Sequence, residues 1–336
     1  MTTLPTTMKA LSMPFYDHER NNLILVEKPV PRPTKANEVL IKIAASPINP
    51  SDVVFLEGRY GVKKQLPVTP GFEASGRVVA TGNGYLARAL MGRRVACGSP
   101  NDGDGTWAEY MVTRADSCMP LLPQITDEQG AMALANPMTA WGLMDLARRG
   151  GHNAIVQSGA AGAVGQMIAR LGQRFKLPMI QIVRREEQVQ QLQAMGEQYV
   201  LNSNAPDFEA QLRQLCRQLK VTLAFDAVAG PLSGQLLKAM PRHSHLVVYG
   251  GLSNKACVYD PSDIIFSHKK VTGFWLTQWL PRLSLAEKIK VGINVQRLLH
   301  AELKTEVQAR LPLEAAAQGL RLYTQNMSAG KVLLLP

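Results

Sequence analysis

The sequence predicts an α/β protein in which a doubly wound parallel sheet is joined to a mostly β domain. Three observations carry that prediction. From Asn153 onward, short apolar runs alternate with amphipathic stretches, the rhythm of strand and helix that builds a parallel sheet through right-handed crossovers. Before that, the first 120 residues break into short segments ended by Gly, Pro, Asn or Asp, the texture of a compact β domain. At the first strand-to-helix junction of the alternating region stand three glycines, Gly159, Gly162 and Gly165.

The β segments are "EVLIKIAAS", "ASGRVVATG" and "GTWAEYMVTR". Near Thr126 the texture changes: "TDEQGAMALANPMTAWGLMDLARRG" opens on a helix-capping threonine followed by acids and stops at Gly150 and Gly151. That change predicts a boundary near residue 125. Beyond it, "NAIVQ" reads as a strand, and the following helix sets Val164, Met167, Ile168 and Leu171 on one face. "MIQIV", "YVL", "LAFDAV" and "LVVYGG" supply further strands. Helices lie between them, one stopped at Gly196 and one opened by Pro231. The tail ends in the apolar run "KVLLLP", which is expected to return to the β domain. The assignment is therefore 1–124 with 306–336 for the β domain and 125–305 for the α/β domain.

Size and composition bound the function. A chain of 336 residues suits two domains at roughly 150 residues each. No run approaches the ~18 apolar residues of a membrane helix, and the start lacks the pattern of a secretory signal, so a cytoplasmic protein is expected. Four cysteines, Cys97, Cys118, Cys216 and Cys257, lie too far apart for a zinc or redox pair and are expected to be free, buried thiols. The formal charge of +11 is compatible with an anionic cofactor, an acidic partner or a merely basic surface. Its Arg-Arg and Lys-Lys pairs are scattered without interleaved aromatics, which argues against nucleic acid. The histidines form no metal spacing: His243 and His245 read as a turn with exposed imidazoles, and Lys269 with Lys270 as a solvated edge.

Chemistry enters at the glycines. Gly159, Gly162 and Gly165, with Ala161, Ala163 and Val164 between them, are placed so that bare backbone N–H groups can approach a pyrophosphate at the positive end of a helix. Their spacing is G-x-x-G-x-x-G rather than the strict fingerprint, and a tight turn packed on glycine is the alternative. Roughly twenty residues later, at the end of the second strand, an NAD enzyme carries an acid for the ribose 2′-hydroxyl. Here Arg184 and Arg185 stand there instead. Guanidinium forks match a phosphate, which selects NADPH; the competing reading is a solvated helix start balanced by Glu186 and Glu187. Tyr249, Gly250 and Gly251 end a later strand at the sheet edge where open α/β folds bind ligands, and are assigned to the cofactor. Asp226 is given no chemistry.

The stretches "SPINPSDVVFLEGRYG", "PGFEASGRVVATG", "GTWAEY", "ANPMTAWGL", "SGAAGAVGQ", "VYGGLS", "GFWLTQWL" and "AGKVLLLP" together resemble the zinc-free branch of the medium-chain dehydrogenase/reductases, whose members include quinone oxidoreductases and 2-enoyl thioester reductases. The resemblance covers nearly the whole chain. "INPSD…GRYG", "NPMTAW" and "GFWLTQW" are similar to the trans-2-enoyl-CoA/acyl-carrier-protein reductases, while Ala161 and Gly162 stand where those enzymes often have Asn or Ser. It implies a GroES-like catalytic domain with an inserted Rossmann domain, usually in a homodimer joined through the cofactor domains. Phe72 occupies the place of a zinc-ligand histidine, so no catalytic metal is expected.

The resemblance gives Tyr60 the role of substrate-side donor or acid. Hydride addition to the β-carbon of an enoyl thioester puts charge on the carbonyl oxygen, and a phenol with pKa near 10 stays protonated to meet it. An ordinary loop tyrosine is the alternative. Trp275 is assigned to the acyl pocket, Asn49 to the substrate or nicotinamide, and Asp52 to either that segment or a helix cap. Asn136 and Thr139 are placed beside the nicotinamide. The expected activity is NADPH-dependent reduction of an α,β-unsaturated acyl thioester carried by coenzyme A or acyl carrier protein, with a quinone or small enone as the competing substrate.

Overall fold

The computed structural model describes residues 4–336, which divide into two compact units. One takes in the chain up to Ala135 together with Thr305–Pro336; the other is Asn136–Lys304.

In the second unit six parallel strands lie in the spatial order Tyr199–Asn202, Met179–Val183, Ile155–Ser158, Leu223–Asp226, His245–Val248 and Lys270–Gly273. The order runs outward in both directions from Ile155–Ser158, so the chain reverses direction across the sheet between that strand and Leu223–Asp226. This is the doubly wound Rossmann arrangement, and its switch point lies between those two strands. Both central strands are buried along their whole length, as expected for a sheet covered on both faces. The helix Ala163–Arg174 turns Met167, Ile168 and Leu171 into the core, while Val164 stays half-buried.

Two features depart from the sequence reading. The strand Lys270–Gly273 was not foreseen, because four residues that include a lysine and a glycine give no apolar run. The stretch from Thr126 to Arg149 is also not one helix: it splits into Asp127–Ala131 and Ala135–Arg149. Thr126 does cap the first piece, its hydroxyl accepting from the Gln129 amide at 3.2 Å.

The first unit is built on a seven-stranded sheet. Its main path runs Val307–Pro312, Lys331–Leu335, Glu38–Pro47, Glu73–Thr81, Arg94–Gly98 and Cys118–Pro120, and Tyr110–Arg114 pairs with Glu38–Pro47 as well. The C-terminal strand joins antiparallel, with Leu333 opposite Pro47 and Leu334 opposite Ser46. Residues 125–135 stay with this unit because Arg94 reaches the Asp127 carboxylate at 2.8 Å and the Ile125 carbonyl at 2.6 Å. The Ser75 hydroxyl also donates to the Asp127 carbonyl. Smaller readings are corrected too. His245 is a half-buried strand residue bonded to Thr272, Lys269 is buried against Asp263, and Cys118 and Cys257 are only partly buried, although all four thiols are free.

Gly76 sits where the two longest strands of this unit press together, and a Cβ there would lie 2.1 Å from the Lys42 carbonyl oxygen. Backbone cannot yield as a flexible side chain would, so Gly76→Ala is expected to cost about 1–3 kcal/mol, read from the midpoint of urea unfolding at unchanged slope.

Candidate cofactor cradle and substrate-side loop

In the α/β unit the chain leaves Ile155–Ser158 through Gly159, whose φ of +63° is left-handed. It turns with Gly162 N–H donating to the Gly159 carbonyl at 2.9 Å and enters the helix at Ala163, with Gly162 as the cap. Gly165 packs so closely that a Cβ would fall 2.5 Å from the Gly159 oxygen and 2.7 Å from the Ala160 Cα. The helix is twelve residues long, and the N–H groups of its first turn have no intrahelical partner. Bare donors, a helix dipole and absent side chains suit a pyrophosphate.

Two neighbouring strand ends close around this turn. A Cβ on Gly159 would meet the Ala227 Cβ at 3.2 Å, and one on Gly250 would meet the Ala227 carbonyl at 2.7 Å. Asp226, to which the sequence assigned nothing, organises the junction. Its Oδ1 accepts from the Ser158 hydroxyl at 2.5 Å and from the backbone of Val228 and Ala229 at 2.9 and 3.0 Å. Its Oδ2 accepts from the Ser233 hydroxyl. These bonds hold the left-handed pair Ala229 and Gly230. Tyr249 follows the next strand, with its hydroxyl buried and unpartnered among the described residues. Burial and the nearby Asp226 charge push that phenol's pKa up, which keeps it protonated. Gly251 is exposed beside it.

Arg184 and Arg185 follow Met179–Val183 directly and are exposed. Arg185 occupies the cap position of the helix Glu186–Ala194, and the Arg184 carbonyl accepts from the Asn204 amide at 2.9 Å. Asn204 is an anchor that the sequence reading did not single out. On the helix Ala135–Arg149, Asn136 and Thr139 are half-buried and three residues apart, hence on one face. Trp275 is half-buried at the cap of the short helix Leu276–Trp279. Trp279 and Phe274 instead pack on Gly142, where a Cβ would come within 3.3 Å of one ring and 2.6 Å of the other.

The β unit carries the loop of Tyr60. Its half-buried ring tilts against Phe72 with centroids 4.9 Å apart, so Phe72 is an apolar wall for the phenol. The Tyr16 hydroxyl pins the loop, accepting from the Lys64 amide at 3.2 Å and donating to the Lys64 carbonyl at 3.3 Å. Lys64 runs beneath Phe55 and Phe72 to the Gly103 carbonyl. Burial lowers its pKa to about 8.

Asn49 and Asp52 lie deeper than the sequence suggested. Asn49 is 1% exposed; its amide donates to Glu73 at 2.8 Å and accepts from the Lys331 ammonium. Both ends are thus engaged within the protein, and what Asn49 meets is this cluster rather than open space. Asp52 accepts from the backbone N–H groups of Asn49 and Phe72 at 2.8 and 3.1 Å, so it caps a helix and also fixes the wall behind Tyr60. Glu73 accepts from the N–H groups of Leu134 and Ala135 at 3.1 and 2.9 Å. A buried carboxylate therefore starts the helix Ala135–Arg149, which is why the stretch from Thr126 breaks.

Burial raises Asp52 from the ordinary 3.8 to about 7 and lowers Lys331 from 10.5 to about 8. Between about pH 4 and 7 the folded chain keeps a proton on Asp52 that the unfolded chain has lost, so this contribution to stability falls as pH rises. Between about 8 and 10.5 the unfolded chain binds the extra proton on Lys331, and stability rises with pH. In thermal unfolding scans, Asp52→Asn is expected to flatten the acid-side decline relative to the parent and to leave the alkaline-side rise in place.

Two family models match the chain: the alcohol dehydrogenase GroES-like domain over residues 35–124 and the zinc-binding dehydrogenase domain over residues 163–289. Despite the second description, no group of three or more His, Cys, Asp or Glu among the described residues is placed to hold a metal. The mitochondrial enoyl-acyl-carrier-protein reductase of Xenopus tropicalis is 30% identical, covering 89% of this chain and 87% of its own. The Arabidopsis thaliana reductase of the same name is 30% identical over 74% of this chain and 67% of its own. A candidate NADPH:quinone reductase from Mesorhizobium loti superposes with a TM-score of 0.92 at 34% identity, covering both chains in full. The chain is therefore an oxidoreductase of the medium-chain dehydrogenase/reductase family, in the branch of the quinone reductases and 2-enoyl thioester reductases.

Proposed function

We propose that the protein reduces the C=C bond of an α,β-unsaturated acyl thioester with NADPH, Tyr60 being the hydrogen-bond donor to the substrate. The observation that carries this reading is the Tyr60–Phe72 pair. A phenol leans on an apolar ring at the position where a metal-dependent relative would hold a ligand, so developing oxyanion charge has a neutral donor to meet it. NADPH would supply the hydride. The chain's own parts divide the remaining work. Gly159, Ala161, Gly162, Ala163, Val164 and Gly165 offer backbone to the pyrophosphate; Arg184 and Arg185 grip the 2′-phosphate; Tyr249, Gly250, Gly251 and Thr139 flank the dinucleotide. Trp275 lines the acyl site, and Asn49 serves as a positioning group through Glu73 and Lys331. No metal takes part in this account.

NADPH:quinone or small enone reduction is the second reading, supported by the Mesorhizobium loti likeness and by the small side chains at Ala161 and Gly162. A homodimer is supported by the edge strand Lys270–Gly273 and, shortly before it in the chain, the apolar Ile265 and Phe266, which are 58% and 68% exposed, since an edge with apolar neighbours invites a second copy. No helix among the described residues is long and apolar enough to cross a membrane. The carrier is read as coenzyme A or acyl carrier protein, and the compartment as the cytoplasm, although the names of the curated relatives specify mitochondria.

Two outcomes test the reading. With crotonyl-CoA as substrate, Tyr60→Phe is expected to lower kcat about a hundredfold while turnover of a quinone changes little; unchanged thioester turnover removes Tyr60 from the chemistry. Replacing Arg184 and Arg185 together by Ala is expected to raise KM for NADPH about tenfold or more and to leave KM for NADH where it was.

A further inference from the structure

A row of buried amides crosses the α/β sheet, and an apolar parallel core has no packing reason to contain it. Gln157 and Gln181 are both fully buried on adjacent central strands, directly opposite one another in register. The Gln157 Nε2 donates to the Gln181 Oε1 at 2.6 Å and to the main-chain oxygen of Gly165 at 2.9 Å. The Gln181 Nε2 donates in turn to Glu197 Oε2 at 2.7 Å. Glu197 is 8% exposed, and its other oxygen accepts from Gln173, whose amide also holds the Met195 carbonyl.

The row has a direction, and the carboxylate sets it. An ionised carboxylate can only accept, so Gln181 must turn its NH2 toward Glu197 and its oxygen toward Gln157. Gln157 must then present its own NH2, and the same NH2 reaches the Gly165 carbonyl in the first turn of the cradle helix. Both of its neighbours are acceptors, which is why the Gln157 oxygen is left buried and unpartnered. Reversing the amides would aim an oxygen at the Gly165 oxygen and push the turn away from its strand. That turn has no slack, since a Cβ on Gly165 would already lie 2.5 Å from the Gly159 oxygen.

We infer that Glu197, acting through Gln181 and Gln157, is a positioning residue for the dinucleotide cradle, fixing amide polarity so that the Gly165 turn is held in the shape that receives the pyrophosphate. The inference rests on the NADPH reading above. It assigns a role to a residue on the strand-start side of the sheet, away from every group expected to touch the cofactor.

The test uses the full chain, with NADPH Kd read by nucleotide fluorescence and kcat measured at saturating NADPH. Glu197→Gln puts a group that can donate as well as accept at the end of the row, so neither direction is imposed, and is expected to weaken NADPH about five- to tenfold, with kcat at saturation within twofold of the parent. Adding Gln181→Glu to that variant places a carboxylate, which can only accept, directly against the Gln157 NH2 and is expected to return Kd to within about twofold of the parent. Glu197→Ala, which removes the polarising group without replacement, is expected to weaken NADPH without affecting kcat. Equal Kd in all four folded proteins overturns the inference, and so does a double variant no better than Glu197→Gln. Should Glu197→Gln fail to fold, the comparison of parent, Glu197→Ala and the double variant decides in the same way. A parent protein that binds no NADPH overturns the cofactor reading itself, whereas a parent that binds while the variants match it overturns only the role of Glu197.

Discussion

The α/β unit depends on a backbone contact with no spare room. At the end of Ile155–Ser158 the chain must turn, cap a helix and pack that helix back on its own strand within seven residues, and Gly165 can do so only because it has no side chain to set against Gly159 and Ala160. The N–H groups of that first turn have no intrahelical partner. Bare donors on a turn packed this closely are suited to an anion. Its neighbours support it: Asp226 gathers two hydroxyls and two backbone amides to hold the next strand's loop, and Gln157 ties the helix start from below.

The β unit solves a different problem with the same economy. At the loop that carries Tyr60, the phenol ring leans on the apolar ring of Phe72. Charge is nevertheless concentrated just beneath. Asp52, Glu73 and Lys331 are buried together, with Asn49 between Glu73 and Lys331. Their desolvation is offset by dense hydrogen bonding, a combination that favours a single arrangement over its alternatives. Through Phe72 N–H and the Leu134 and Ala135 N–H groups, the cluster fixes both the wall behind Tyr60 and the end of the segment that follows Asp127–Ala131.

Much of this was legible from the order of residues alone. Glycine spacing at a strand end, a basic pair at the end of the next strand and a closing apolar strand are local signals, each readable within a dozen residues. What escaped is non-local. The break after Ala131 arises from a carboxylate about sixty residues earlier in the chain, whose bonds to Leu134 and Ala135 no window on that stretch contains. Gln157 and Gln181 look like incidental polar residues until register sets them side by side, and Glu197 falls outside any motif. Asp226 reads as an ordinary strand terminus because its partners lie up to 68 residues away. Lys269 and His245 looked exposed for the same reason: the Leu237 carbonyl and Thr272 reach them only through the fold.

The choice of nucleotide underlies every role assigned to the α/β unit. Calorimetric titration of the unmodified protein with NADPH and, separately, with NADH measures it without any substitution or assumed substrate. Saturable heat is expected with NADPH, and binding of NADH weaker by about tenfold or more, the worth of one charge-assisted phosphate contact. Equal affinity for the two nucleotides, or no heat from either, would contradict it.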